Sequence, residues 1–157
     1  MAVELGLSPY LVVSDAKAAI AFYQQAFGAV VESVHKAPHS DKVMHAMLRV
    51  HGCILSLSDD FPEFMGGKSR TPQALGGTPV TLHLQVADAE ATWAQAKAAG
   101  ATDVFPLKDQ FWGERYGKLS DPFGHEWAIG QALRTVSDEE TERAAEQYFK
   151  KEAVVAG

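Results

Sequence analysis

The chain has 157 residues, of which 46% are hydrophobic and 22% charged, the balance of a globular protein with one real core. Its formal net charge of -6 gives no electrostatic case for nucleic acid or an anionic membrane as partner. The single cysteine, Cys53, cannot form an internal disulfide, and no stretch approaches the ~20 apolar residues of a membrane span. The N-terminus shows no basic region followed by a long apolar run, so the expectation is a cytoplasmic protein acting on something small. Cys53 itself, in an apolar strand-like run, is expected to be a small buried hydrophobe.

Leu7 to Val13 reads as a first strand, with Pro9 near its start or on an edge. Asp15 caps a helix from Ala16 to Phe27 that Gly28 ends, and Ile20, Tyr23 and Phe27, beside Ala19 and Phe22, form its buried stripe. Ala29 to His35 is a second strand, and residues 36–41 are a loop. Val43 to Val50 and Cys53 to Ser58 are two strands joined at a His51-Gly52 hairpin turn. Residues 59–79 hold Pro62, Pro72 and Pro79 and two Gly-Gly pairs, and read as a long connection.

The pattern then restarts. In Val80 to Val86 the residues Leu82, Leu84 and Val86 alternate with Thr81, His83 and Gln85, the period of a strand with one face in the core and the other toward a wet pocket. Asp88 caps a helix to Ala99 that Gly100 ends, Thr102 to Leu107 is a strand, and Arg115 to Ser120 and His125 to Gly130 are two more, joined by Asp121-Pro-Phe-Gly124. The chain therefore holds two copies of strand-helix-strand-strand-strand. This is an α+β fold in one domain, residues 1–135, with modules at about 7–58 and 80–131 and a linker at 59–79. Ser137-Asp-Glu-Glu140 is a capping box that opens a C-terminal helical tail at 136–157, whose apolar stripe of Ala144, Ala145, Tyr148 and Phe149 packs either on its own domain or on a second subunit.

These paired βαβββ modules, with Phe22-Tyr23 and Phe27-Gly28 closing the first helix, resemble the vicinal oxygen chelate superfamily of glyoxalase I, bleomycin-resistance proteins and extradiol dioxygenases. The run Asp109-Gln-Phe-Trp-Gly-Glu-Arg-Tyr-Gly117, with Ser120-Asp-Pro-Phe-Gly-His-Glu-Trp127, Ser8-Pro-Tyr10 and Pro72-Gln-Ala-Leu-Gly-Gly77, is similar to the PhnB-like branch. The resemblance implies a curled mixed sheet around a central cavity, a homodimer, and four metal-ligand positions that carry over to Ser8, Ser56, Thr81 and Ala128. Neutral hydroxyls and a methyl do not hold a transition metal as imidazole and carboxylate do, so no metal and no other cofactor is expected.

Alternation places His83 and Glu126 in the cavity and sends Trp127 and Ile129 toward the helices. The resemblance sets the ligand positions roughly level. His83 and Glu126 are then expected about four residues, or roughly 13 Å, apart at ~3.3 Å per residue, too far to share one ion within a module. His83 reads either as a pocket histidine bonded to a neighbour or as a general base. Glu126 reads either as a carboxylate paired with Arg115, Lys118 or Arg49 or as a proton-transfer acid. Tyr10, His45, Ser56, Thr81, Trp112 and Tyr116 complete the expected binding surface, aromatic walls around a few polar groups. Three readings follow: a metal-free dimeric binding protein for a small organic ligand; a glyoxalase-like lyase or isomerase using His83 and Glu126, with or without an atypical divalent metal; and an assembly protein acting through its tail helix.

Overall fold

The computed structural model describes residues 4–156. Its first module runs β1 (Tyr10–Val13), α1 (Ala16–Phe27), β2 (Val30–Lys36), β3 (Val43–Val50) and β4 (Cys53–Asp59). A linker with one 3-10 turn (Pro62–Phe64) and one short helix, α2 (Pro72–Leu75), leads to the second module. That module comprises β5 (Thr81–Gln85), α3 (Ala89–Ala99), β6 (Thr102–Asp109), β7 (Glu114–Ser120) and β8 (Glu126–Ala132), and the tail helix α4 (Asp138–Val155) follows.

Local chemistry sets the ends of these elements. Asp15 accepts from the Ala18 amide at 2.9 Å and Asp88 from the Ala91 amide at 3.0 Å, so each module's helix starts on the same cap. Gly28 closes α1 at φ 67°, a left-handed conformation that costs glycine nothing. His51 and Gly52 both have positive φ, 46° and 83°, which turns β3 tightly into β4. β1 begins at Tyr10 and not at Leu7, because Pro9 has no amide hydrogen to add to a ladder. Cys53 is exposed and not buried as expected: it opens β4 at the hairpin end, clear of the helix-covered core.

The strands form two four-stranded mixed sheets, ordered β1-β4-β3-β2 and β5-β8-β7-β6. In each, the first strand runs parallel to the last and the other neighbours are antiparallel. Among the described residues no strand pairing joins the two sheets, so they do not close into a barrel, and β1 and β5 are free edges. α1 and α3 pack on each other and on the sheets, leaving the opposite sheet faces open.

One core serves both modules. Tyr23 and Phe27 of α1 lie against Trp127 of β8, with ring centroids 5.4 Å and 4.5 Å apart. Leu48, Leu57, Leu119 and Ile129 are fully buried beneath the helices. Burial of each such side chain contributes roughly 1.5–3 kcal/mol. Buried Asp121, in the β7–β8 turn, fastens this junction. One carboxylate oxygen accepts from the amides of Phe123 and His125, both at 2.9 Å. The other accepts from the Tyr23 hydroxyl at 2.7 Å and from Trp127 Nε1 at 3.0 Å. Burial, and then the adjacent Asp121 carboxylate, push the Tyr23 phenol well above its ordinary pKa.

α4 has no buried residue. Its Tyr148 packs on Phe111 of its own chain with ring centroids 5.6 Å apart, while Phe149 faces outward. Among the described residues no helix is long and apolar enough to cross a membrane.

Candidate functional site

β5 is the strand on which the site is built. Leu82 and Leu84 pack toward the core, which turns Thr81, His83 and Gln85 to the open face. Beside them on β8, Thr81 is level with Glu126, His83 with Ala128 and Gln85 with Gly130. β7 lies on the far side of β8, with Tyr116 level with Gly130 and Lys118 with Ala128. Side chains from β5 and β7 therefore meet across β8 wherever β8 carries little of its own. A Cβ built at Gly130 would stand 3.0 Å from His83 Nε2 and 2.9 Å from Gln85 Oε1, so this glycine provides the room in which His83 and Gln85 lie.

In that room His83 Nε2 sits 2.9 Å from Gln85 Oε1, and Gln85 Nε2 donates to Glu114 Oε1 at 3.2 Å. Trp112 Nε1 donates to Glu114 Oε2 at 2.8 Å. The His83 ring lies over Tyr116, centroids 5.9 Å apart and planes only 19° from parallel. Trp112 meets Tyr116 edge-on at 5.7 Å, and Phe105 of β6 adds a further ring at 6.3 Å. His83, Tyr116, Trp112 and Phe105 thus form a continuous aromatic surface with a polar line along one side.

Glu126 belongs to a separate pair. Its carboxylate is 3.2 Å from Lys118 Nζ, one of the three cations expected for it. The expected four-residue offset from His83 is corrected to two, since Thr81 and not His83 is level with Glu126. The offset along the strands is therefore roughly 7 Å. The parallel register places the last-strand position two residues further along than a level arrangement would.

The remaining expected residues lie on the first sheet. The Tyr10 hydroxyl is 3.2 Å from His45 Nδ1 and donates to the Met44 carbonyl at 3.3 Å. His45 in turn lies over His35 at 6.4 Å. Ser56, level with Tyr10, is buried. Among the described residues no hydrogen bond or ring contact links this first-sheet group to the His83 group. A cavity of about 500 Å³ does reach both modules, lined by Leu7, Pro9, Ile54, Thr81, His83 and Gln85 among others. Its walls are mostly apolar with a few polar groups, the make-up of a small-molecule site.

The donor set at the four positions expected to hold a metal does not suit a divalent ion. Ser8 and Thr81 offer neutral hydroxyls, Ser56 is buried, and Ala128 has no donor. The nearest imidazole and carboxylate are His83, whose Nε2 is engaged by Gln85 but whose Nδ1 is open, and Glu126, which is paired with the Lys118 ammonium. These two fall short of the three or more such ligands that a divalent ion needs. Among the described residues no three His, Cys, Asp or Glu side chains are grouped as metal ligands.

The repeated βαβββ module and the cavity between two open sheets define a class that comparison with known proteins bears out. The profile of the Glyoxalase/Bleomycin resistance protein/Dioxygenase superfamily matches residues 6–129, and the chain belongs to that superfamily. The Mycobacterium bovis protein Mb0911c is 52% identical over 143 residues, which cover 90% of this chain and 93% of that one. Among solved structures, PA1353 from Pseudomonas aeruginosa is 26% identical with a TM-score of 0.64, covering 82% of this chain and 98% of its own. The PhnB protein from Bacillus cereus, 17% identical, shares the fold with a TM-score of 0.62 over 82% of this chain and 100% of its own.

Sequence reasoning missed Glu114 and Phe105 as site residues. It also missed the part played by Gly130, and the cavity wall made by Leu7, Pro9 and Ile54. Gln85 was visible as the next residue on the polar face of its strand. Glu114 was not, because its meeting with Gln85 depends on which strand separates β5 from β7.

Proposed function

We propose that the protein binds a small, planar organic molecule without a metal or other cofactor, in the cavity at the module junction and against the aromatic surface beside it. His83 carries this reading: the same ring lines the cavity and lies nearly parallel on Tyr116, so a flat ligand entering the cavity meets a ready stacking platform. The working unit is a homodimer. The exposed apolar side chains on the outer strands, Val30 and Val34 on β2 and Val104 on β6, support this assembly. The acidic charge and lone exposed thiol accord with a cytoplasmic setting.

The rival reading, proton transfer between His83 and Glu126 in a lyase or isomerase, is disfavoured by the Lys118–Glu126 pair, which engages the carboxylate with an ammonium at 3.2 Å. A thermal-shift screen of planar aromatic compounds separates the two, run beside turnover of the methylglyoxal–glutathione adduct. At a hundred times its Kd a ligand adds roughly 2.7 kcal/mol, a rise in Tm of about 5–10 °C for a chain of this size. We expect such rises for the natural protein, their loss in His83→Ala, and no turnover. Turnover that depends on Glu126 overturns the proposal.

A further inference from the structure

The hydrogen-bond directions beside His83 are fixed by a carboxylate two links away. Glu114 can only accept, so the group of Gln85 that faces it at 3.2 Å must be the amide nitrogen. Gln85 then turns its oxygen to His83 Nε2 at 2.9 Å, and that oxygen also can only accept. His83 Nε2 must therefore carry the hydrogen. Glu114 is held in place in turn, because its second oxygen accepts from Trp112 Nε1 at 2.8 Å. In the neutral imidazole Nδ1 is left as a bare acceptor. Among the described residues it has no hydrogen-bond partner, and its ring is exposed and lines the cavity.

We propose that Trp112, Glu114 and Gln85 are positioning residues that lock His83 as the Nε2–H tautomer, so that the site selects planar ligands bearing an O–H or N–H donor. The ligand class rests on the binding reading above, whereas the tautomer is a property of the ligand-free protein.

Glu114→Gln tests this with almost no change of shape. Trp112 keeps the side-chain oxygen, so the new amide nitrogen faces Gln85. Gln85 must turn over to accept from it, presents its own amide nitrogen to His83 Nε2, and drives the imidazole hydrogen to Nδ1. Long-range 1H–15N correlation spectra of the full chain read the tautomer directly, at a pH about two units above the ordinary imidazole pKa. We expect Nε2–H in the natural protein, Nδ1–H in Glu114→Gln, and a mixture in Gln85→Leu, an exposed substitution that serves if the first variant folds poorly. The same tautomer in the natural protein and both variants, or Nδ1–H in the natural protein, overturns the lock. 2-Naphthol and 2-methoxynaphthalene probe the ligand class. The natural protein should prefer the naphthol by about threefold to tenfold, the worth of one hydrogen bond, and Glu114→Gln should lose that preference. Equal affinity in the natural protein overturns the selectivity. Binding of neither compound, with the tautomer switch intact, overturns the ligand class and the binding reading beneath it while the lock stands.

Discussion

Gly130 matters for what it lacks. Its neighbours on either side, Gln85 of β5 and Tyr116 of β7, are level with it, and the His83 ring lies over the gap its missing side chain leaves. The groups that a methyl there would strike are the far ends of two side chains and not backbone, so they can swing away. Gly130→Ala is therefore expected to cost about 1 kcal/mol, the low end of the range for small-to-large changes, while displacing His83 from Gln85 and Tyr116. Urea unfolding with ligand titration checks this, and affinity should fall by about tenfold, the loss of an ordered stacking contact. An unchanged affinity would mean that the placement of His83 is immaterial. Whether a residue was readable from sequence depended on how far its environment lay along the chain. Strand alternation alone placed Thr81, His83 and Gln85 on one face. The partner of Glu126 was narrowed to three cations, and Lys118 was one of them.

At the scale of elements, the helix caps and hairpin turns were legible because each is decided within a few residues, as at Asp15, Asp88 and His51-Gly52. The parallel pairing of β5 with β8 was not, because it joins segments separated by a helix and two strands. For the same reason the mutual placement of His83 and Glu126 came out two residues too far apart. The exposure of Cys53 was missed because an apolar run gives no sign of which end of a strand stands clear of the core. The contact between α1 and the β7–β8 turn makes a pH-dependent prediction. The Tyr23 phenol, raised from its ordinary 10.0 chiefly by burial and then by Asp121, keeps its proton in the folded chain after the unfolded chain has lost it. Its contribution is complete below pH 10 and is lost as pH climbs toward the folded pKa. Urea unfolding between pH 8 and pH 11 should accordingly show a steeper fall for the natural protein than for Tyr23→Phe. Parallel slopes would contradict it. α4 offers a second test at this scale. Among the described residues only Tyr148 and Phe111 tie it to its own module through ring contact, and Phe149 is exposed. Removal of residues 136–157 should leave the modules folded by circular dichroism. The proposed dimer, with its contact on the outer strands, should survive this removal by light scattering, whereas a monomer would contradict that placement.

The molecule as a whole is two half-sheets that share one helix layer and one core but leave a hollow where their free edges, β1 and β5, approach. Duplication made this arrangement readable from the order of elements, and the superfamily match follows from it. The contents of the hollow follow instead from side chains that chain order does not bring together. Ile54 on one module and Thr81 and His83 on the other line the same space. Isothermal titration of protein dialysed against EDTA with 2-naphthol tests this account most directly, with Ile54→Trp as the blocked control. The account predicts saturable binding at one molecule per chain, indifferent to EDTA and abolished in Ile54→Trp; binding that appears only after zinc or nickel is restored, or that survives the blocking tryptophan, would contradict it.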